Sequence, residues 1–297
     1  MSKPHHLRPL LGVAVLVFLI VPGVEGKNWK KGSAFKPDLI EVYKEVDGAA
    51  LDLSIFFPEA GKPETPSPAI VMFHCGGFKK GSPDAFYYFC DYLATRGMVA
   101  ISVEYRLGDQ LDCLKDAKSA MRYVYQNAAK FGIDPTRVAA GGGSAGGHLA
   151  AATATSRIIN EDTDDLSLPS VPAALVLFNP ILGHRDSVNR WKPEVRRDFR
   201  PWFGIHAGMP PTLGMWGEKD KFLSVEIMKE FQQKVTAAGG RCDIEIYPGQ
   251  EHSFFDNSPE WVITTVGRAD AFLASLDFLE GEPTIKAWVS KQSVLAR

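Results

Sequence analysis

A chain of 297 residues, 45% hydrophobic and 23% charged, carries ample apolar material for a full core and lacks the bias of a disordered polymer. Its formal net charge of −2 leaves no basic footprint for nucleic acid, and its four cysteines are too sparse for a disulfide scaffold. That length suits one α/β domain or two small ones.

The first residues read apart from the rest. Lys3 and Arg8 give a basic start, the apolar run Leu10 to Val21 follows, and Pro22-Gly23 breaks it before Val24-Glu25-Gly26. This is the layout of a secretory signal peptide, and its 12 apolar residues fall short of the ~20 a membrane-spanning helix needs. The expectation is an exported protein with residues 1–26 as leader and 27–297 as one domain, without stable membrane insertion. A retained N-terminal anchor is the alternative.

Strands and helices alternate from there. Strands are expected at Leu51 to Phe57, Ala69 to Phe73, Val99 to Val103, Val138 to Ala140, Ala174 to Phe178, Thr212 to Trp216 and Asp243 to Tyr247, each a short apolar or alternating run. Leu51-Asp52-Leu53-Ser54-Ile55 alternates strictly, as a half-exposed antiparallel strand does. Helices are expected near Ala85 to Arg96, Leu114 to Lys130, Ala145 to Ile158, Ser224 to Ala238 and Val262 to Leu279. The alternation predicts a mostly parallel sheet with helices on both faces. Pro180 to Pro211 is less regular, carries Trp191, Trp202 and Phe203, and is expected to form a short lid or pocket wall. The cluster Glu161-Asp162-Asp164-Asp165 reads as a solvated loop, lacking the glycine and distal glutamate of an EF-hand. No cysteine has metal-ligand spacing, and Cys90 with Cys113 is the one pair worth testing for a disulfide. Glu282 to Arg297 form a tail to which the sequence gives no purpose.

Gly142-Gly143-Ser144-Ala145-Gly146 is the most informative stretch. It satisfies G-x-S-x-G, lies between a buried strand and an Ala-rich helix, and would hold Ser144 Oγ at the tip of a sharp turn. No Lys-Ser/Thr pair follows, which argues against a phosphate loop. About 70 residues upstream, the strand Ala69 to Phe73 ends in His74-Cys75-Gly76-Gly77-Phe78. Here glycines let backbone N–H groups face a developing oxyanion, with Gly76, Gly77 and Ala145 as the donors. A serine nucleophile needs a base, and the base an orienting acid. Asp220 and His252 both stand just after strands, where a parallel sheet presents functional groups, and the chain order Ser144, Asp220, His252 matches that of α/β-hydrolases. His148 reads as a packing residue under the elbow, His184 and His206 as entrance residues, and Glu218 as a reserve acid. Phe78, Trp202, Phe203 and Phe254 are the candidate substrate contacts.

These motifs resemble the α/β-hydrolase esterases of the hormone-sensitive-lipase-like and acetyl-esterase type, which carry an H-G-G-G hole motif and a G-x-S-A-G elbow. The resemblance spans roughly Leu51 to Leu279 and includes Glu104-Tyr105-Arg106-Leu107 and Phe131-Gly132-Ile133-Asp134-Pro135. Cys75 stands for the first glycine of the hole motif, Gly143 occupies a position often acidic in that branch, and Arg106-Leu107-Gly108-Asp109 lacks the usual Ala-Pro-Glu continuation. The last two departures point toward acetyl- and carbohydrate-esterase relatives.

The resemblance implies an α/β-hydrolase fold and a carboxylesterase acting on short acyl esters through an acyl-enzyme, with no metal or organic cofactor. A small-molecule or carbohydrate ester is the expected partner, and the oligomeric state stays open. A xylan acetyl or feruloyl esterase is the near alternative. An amide-cleaving formamidase or peptidase of the same fold and a non-catalytic secreted binding module are the more distant ones.

Overall fold

The β-branched and aliphatic runs that mark the strands pack side by side because both of their faces find apolar cover. In the computed structural model, which describes residues 34–46, 48–58, 61–183 and 192–295, eight strands form one sheet. They are β1 (Leu39–Val46), β2 (Ala49–Phe56), β3 (Ser67–Phe73), β4 (Val99–Val103), β5 (Ile133–Gly143), β6 (Ala174–Phe178), β7 (Thr212–Gly217) and β8 (Cys242–Tyr247). Their spatial order is β1-β2-β4-β3-β5-β6-β7-β8. The strand β2 is antiparallel to both β1 and β4, while every pairing from β4 through β3 to β8 is parallel.

Helices α1 (Tyr87–Thr95), α2 (Gln110–Gln126), α3 (Ala128–Phe131), α4 (Ala145–Thr155), α5 (Pro193–Phe199), α6 (Pro201–Gly204), α7 (Val225–Ala237), α8 (Pro259–Ala274) and α9 (Ile285–Leu295) fill the connections and the C-terminal end. The two faces of the sheet bury separate apolar cores. One gathers α2, α4 and α7 residues such as Leu114, Leu149 and Phe231, the other α1 and α8 residues such as Phe89 and Val266. None of the helices among the described residues is long and apolar enough to cross a membrane.

Several expectations change. The strand β2 is not half-exposed: Leu51, Leu53 and Ile55 enter one core, Phe56 enters the other, and Ser54 Oγ meets the Tyr87 hydroxyl at 2.7 Å. Cys90 and Cys113 lie in opposite cores with the sheet between them, and none of the four cysteines forms a disulfide. The acidic cluster is not simply solvated. Glu161 accepts from Lys44 Nζ at 2.7 Å and from Arg106 at 2.9 Å, and Asp164 accepts from Arg122 and from Ser119 Oγ. The C-terminal tail, assigned no purpose from sequence, includes α9, which lays Trp288 against Tyr92 and Phe35. The leader, Trp191 and His184 lie outside the described residues.

Candidate active site

The strand β5 ends in three glycines, and the chain then turns through Ser144 into α4. Ser144 has φ 53 and ψ −113, a strained conformation for a residue with a side chain. Bonds on both sides over-determine it: Ser144 N–H donates to Phe178 O at 2.9 Å, while His148 N–H and Ile181 N–H donate to Ser144 O. The turn is tight enough that a Cβ on Gly146 would lie 1.9 Å from Phe73 O, so the end of β3 presses directly on the first turn of α4. No side chain larger than hydrogen fits there.

That contact brings the His74–Phe78 loop beside the serine. Gly76 has φ 134, and Lys80 O fills the space that a Cβ would need. Gly77 has φ 64 and faces open space. Among the described residues, the N–H groups of Gly76 and Gly77 donate to no protein acceptor. The loop is fixed from below. Tyr105 O–H donates to His74 O at 2.8 Å, its ring stacks on the His74 imidazole at 4.1 Å, and Gly108 N–H donates to Phe78 O.

The segment that supplies Tyr105 is itself locked by a buried ion network. Asp116 accepts two bonds at 2.8 Å from the Arg106 guanidinium, one from Arg106 N–H, and one from Lys44 at 2.6 Å. Burial pushes the Glu161 carboxyl up, but the hydrogen bond and charge of Lys44, with Lys115 and Arg106, outweigh it and bring its pKa down to about 2.

The other two groups come from the loops after β7 and β8. Glu218 N–H to Tyr247 O and Lys219 N–H to Gln250 O zip these loops together, which places Asp220 under His252. His252 Nδ1 lies 2.7 Å from Asp220 Oδ2, and its Nε2 lies 2.8 Å from Ser144 Oγ. The Asp220 carboxylate is almost wholly enclosed, and the imidazole keeps an open edge at 17% exposure. With a carboxylate on Nδ1, the imidazole carries its proton there and presents the Nε2 lone pair to the serine hydroxyl. Such an array can take the serine proton as the oxygen attacks a carbonyl.

Not every residue singled out in the sequence joins this array. Phe254 is buried against Tyr247 and Trp261 in the core shared with α1 and α8, so it does not line the site. Its neighbour Phe255 is the one under the elbow, 3.0 Å from where a Gly143 Cβ would sit. Trp202 on α6 packs toward Phe231 and Lys234 of α7, and Phe203 is partly exposed beneath Arg200 and Arg197. Phe78 is buried against His148 and Phe199. Phe78 thus belongs to the packing between the hole loop, α4 and α5, and Trp202 to that between α6 and α7. Glu218 accepts from Gly249 N–H and caps the turn after β8.

Two residues at the site were not singled out in the sequence. Asn179, just past β6, places Nδ2 at 3.3 Å from His252 Nε2 and 3.5 Å from Nδ1. It has φ 36, and its buried Oδ1 has no partner among the described residues. Phe222 lies edge-on to the His252 ring at 4.5 Å. Their position one or two residues beyond a strand end or the acid was the available clue.

A mostly parallel sheet of this order, with serine, imidazole and carboxylate hydrogen-bonded in sequence at the C-terminal rim of its strands, defines the class of α/β-hydrolases. Comparison with known proteins narrows this. The family model BD-FAE matches residues 53–173, and the dienelactone hydrolase family model matches residues 205–282. The chain is 30% identical over 252 residues to ethyl acetate hydrolase of Pseudomonas putida, covering 75% of this chain and 78% of that one. The apo form of Thermogutta terrifontis esterase 2 superposes with a TM-score of 0.77 at 36% identity, covering 82% of this chain and 96% of that one. Other curated relatives match over shorter stretches: the aligned part spans 30% of the AB hydrolase superfamily protein C1039.03 of Schizosaccharomyces pombe and 23% of esterase B1 of Culex pipiens. The chain belongs to the α/β-hydrolase esterases of the hormone-sensitive-lipase-like family.

Proposed function

We propose that this protein hydrolyses short-chain acyl esters, acetyl esters foremost, through an acyl-enzyme on Ser144. The carrying observation is the continuous hydrogen-bonded path Asp220–His252–Ser144. In this reading His252 takes the Ser144 proton as Oγ attacks the ester carbonyl. Asp220 fixes the tautomer and faces the imidazolium. The N–H groups of Gly76, Gly77 and Ala145 receive the oxyanion, and losing one such donor typically costs about 2.7–4 kcal/mol of barrier. His252 then protonates the departing alcohol oxygen. Water, deprotonated by the same imidazole, attacks the acyl carbon and releases the acid from Ser144. No step calls on a metal or organic cofactor.

Support for a small acyl group comes from relatives. One is an ethyl acetate hydrolase, and Thermogutta terrifontis esterase 2 is known with propionate and with butyrate bound. Export by the leader at residues 1–26 is part of the same proposal and rests on the sequence pattern alone.

The test is a chain-length series of ethyl esters from acetate to octanoate, run beside acetylated xylan, on the parent protein and on Ser144→Ala. The expected result is highest kcat/KM at acetate to butyrate in the parent and loss of at least 10³-fold in the variant. Normal turnover by Ser144→Ala removes the nucleophile. A strong preference for acetylated xylan over every small ester moves the reading to a carbohydrate esterase.

A further inference from the structure

Phe222 is 52% exposed, and a lone exposed aromatic is ordinary on a protein surface. Its setting is not. The ring stands edge-on to the His252 imidazole, with centroids 4.5 Å apart and planes at 61°. Its backbone N–H donates to Asp220 Oδ1 at 2.8 Å, so the same carboxylate that orients His252 through Oδ2 also fixes the start of the Phe222 side chain. Phe222 is therefore registered to the imidazole rather than to the surrounding surface.

Reaction geometry says which part of a substrate lies there. Nε2 of the base receives the serine proton and hands it to the leaving oxygen, so the alcohol portion of an ester must sit on the imidazole side of Ser144. The oxyanion donors lie on the hole-loop side. An exposed aromatic face beside His252 then meets the alcohol and not the acyl chain.

We infer that Phe222 is a specificity-determining contact for the alcohol moiety and favours esters of aromatic or other flat apolar alcohols over those of small alkyl alcohols. The inference rests on the esterase reading above and deepens it. Aromatic pairs gain from edge-to-face or offset contact beyond the area they bury, which an ethyl group cannot match.

The experiment compares benzyl acetate with ethyl acetate, which share one acyl-enzyme and have alcohols of similar acidity. The readout is the ratio of their kcat/KM values in the parent, Phe222→Ala, Phe222→Leu and Phe222→Trp. The ratio should fall about tenfold in Phe222→Ala, fall less in Phe222→Leu and be kept or raised in Phe222→Trp. A ratio within twofold of the parent in both the alanine and leucine variants overturns the inference, whatever the absolute rates do. So does an unchanged ratio accompanied by a shifted preference between ethyl acetate and ethyl butyrate, which would put Phe222 on the acyl side. Should Phe222→Ala fail to fold, the leucine and tryptophan ratios decide alone. A parent protein that hydrolyses neither ester while remaining folded contradicts the esterase reading itself, an outcome distinct from an unresponsive ratio.

Discussion

Gly146 shows how little freedom the elbow leaves. A glycine-to-alanine change inside a helix ordinarily gains about 1 kcal/mol through backbone entropy. Here the added Cβ would stand 1.9 Å from Phe73 O and 2.5 Å from His74 O, both backbone atoms. Either β3 or the first turn of α4 must move, and overpacking of this kind costs about 1–3 kcal/mol or more. Gly146→Ala is thus expected to lower the urea midpoint and to reduce ester turnover by more than its stability loss explains, because the hole loop is carried by the same carbonyls. A midpoint raised by the substitution, as at an unconstrained helical glycine, would contradict this packing. The residues of the polar array were legible because each stands next to a strand end in a recognisable order. Phe222 and Asn179 were not: a phenylalanine after an acid and an asparagine before a proline have many ordinary uses, and only the fold brings them to His252. Phe254 erred for a related reason, since a single-residue step along the turn after His252 exchanges the place under the elbow, against Phe178, for a deeper one in the same core, against Tyr247 and Trp261.

At the scale of elements, α4 anchors the segment after β6 as well as the serine. His148, one turn beyond Ser144, points Nε2 at Phe199 O at 2.9 Å and Nδ1 at Ile181 O. The next residue back, Asp198, accepts from Ser156 Oγ and from the N–H groups of Arg157, Ile158 and Ile159, so α5 is tied to both ends of α4. The buried Lys118 ammonium supports the same turn through Ser156 O and Ile159 O. Burial pushes the His148 pKa down to about 4, against the pull of the two carbonyls, which would favour a cation. The folded protein therefore resists protonating this ring while the unfolded chain takes up a proton near 6.5. The stability that neutral His148 contributes is complete above about pH 6.5 and lost as pH falls toward about 4, amounting to about 3 kcal/mol across that window. Melting temperature followed from pH 7 to pH 4 should fall less steeply in His148→Gln than in the parent. Equal slopes would show that His148 does not titrate between those limits.

Across the whole molecule, the parallel strands β3, β4, β5, β6 and β7 were readable because buried strands leave short, nearly continuous apolar runs between turn signals, and the half-buried β8 was readable from its alternation. The edge strand β1 escaped notice. Its sequence LIEVYKEV interleaves charge with apolar residues, and Ile40 and Val42 are exposed while Tyr43 turns inward. The helix α9 was equally hidden, since Trp288 finds Tyr92 of α1 and Phe35, partners distant in sequence that only the fold brings to it. Neither element builds the rim. What the parallel strands do is deliver three distant stretches of chain to one edge, where Ser144, Asp220 and His252 meet within hydrogen-bonding distance. The most direct measurement of what that meeting achieves is the intact mass of the protein after incubation with a fluorophosphonate, followed by peptide mapping. One adduct per chain on Ser144, formed slowly or not at all in His252→Ala, is the predicted result. Full acetate-ester turnover by a protein that acquires no adduct, or an adduct on any other residue, would contradict it.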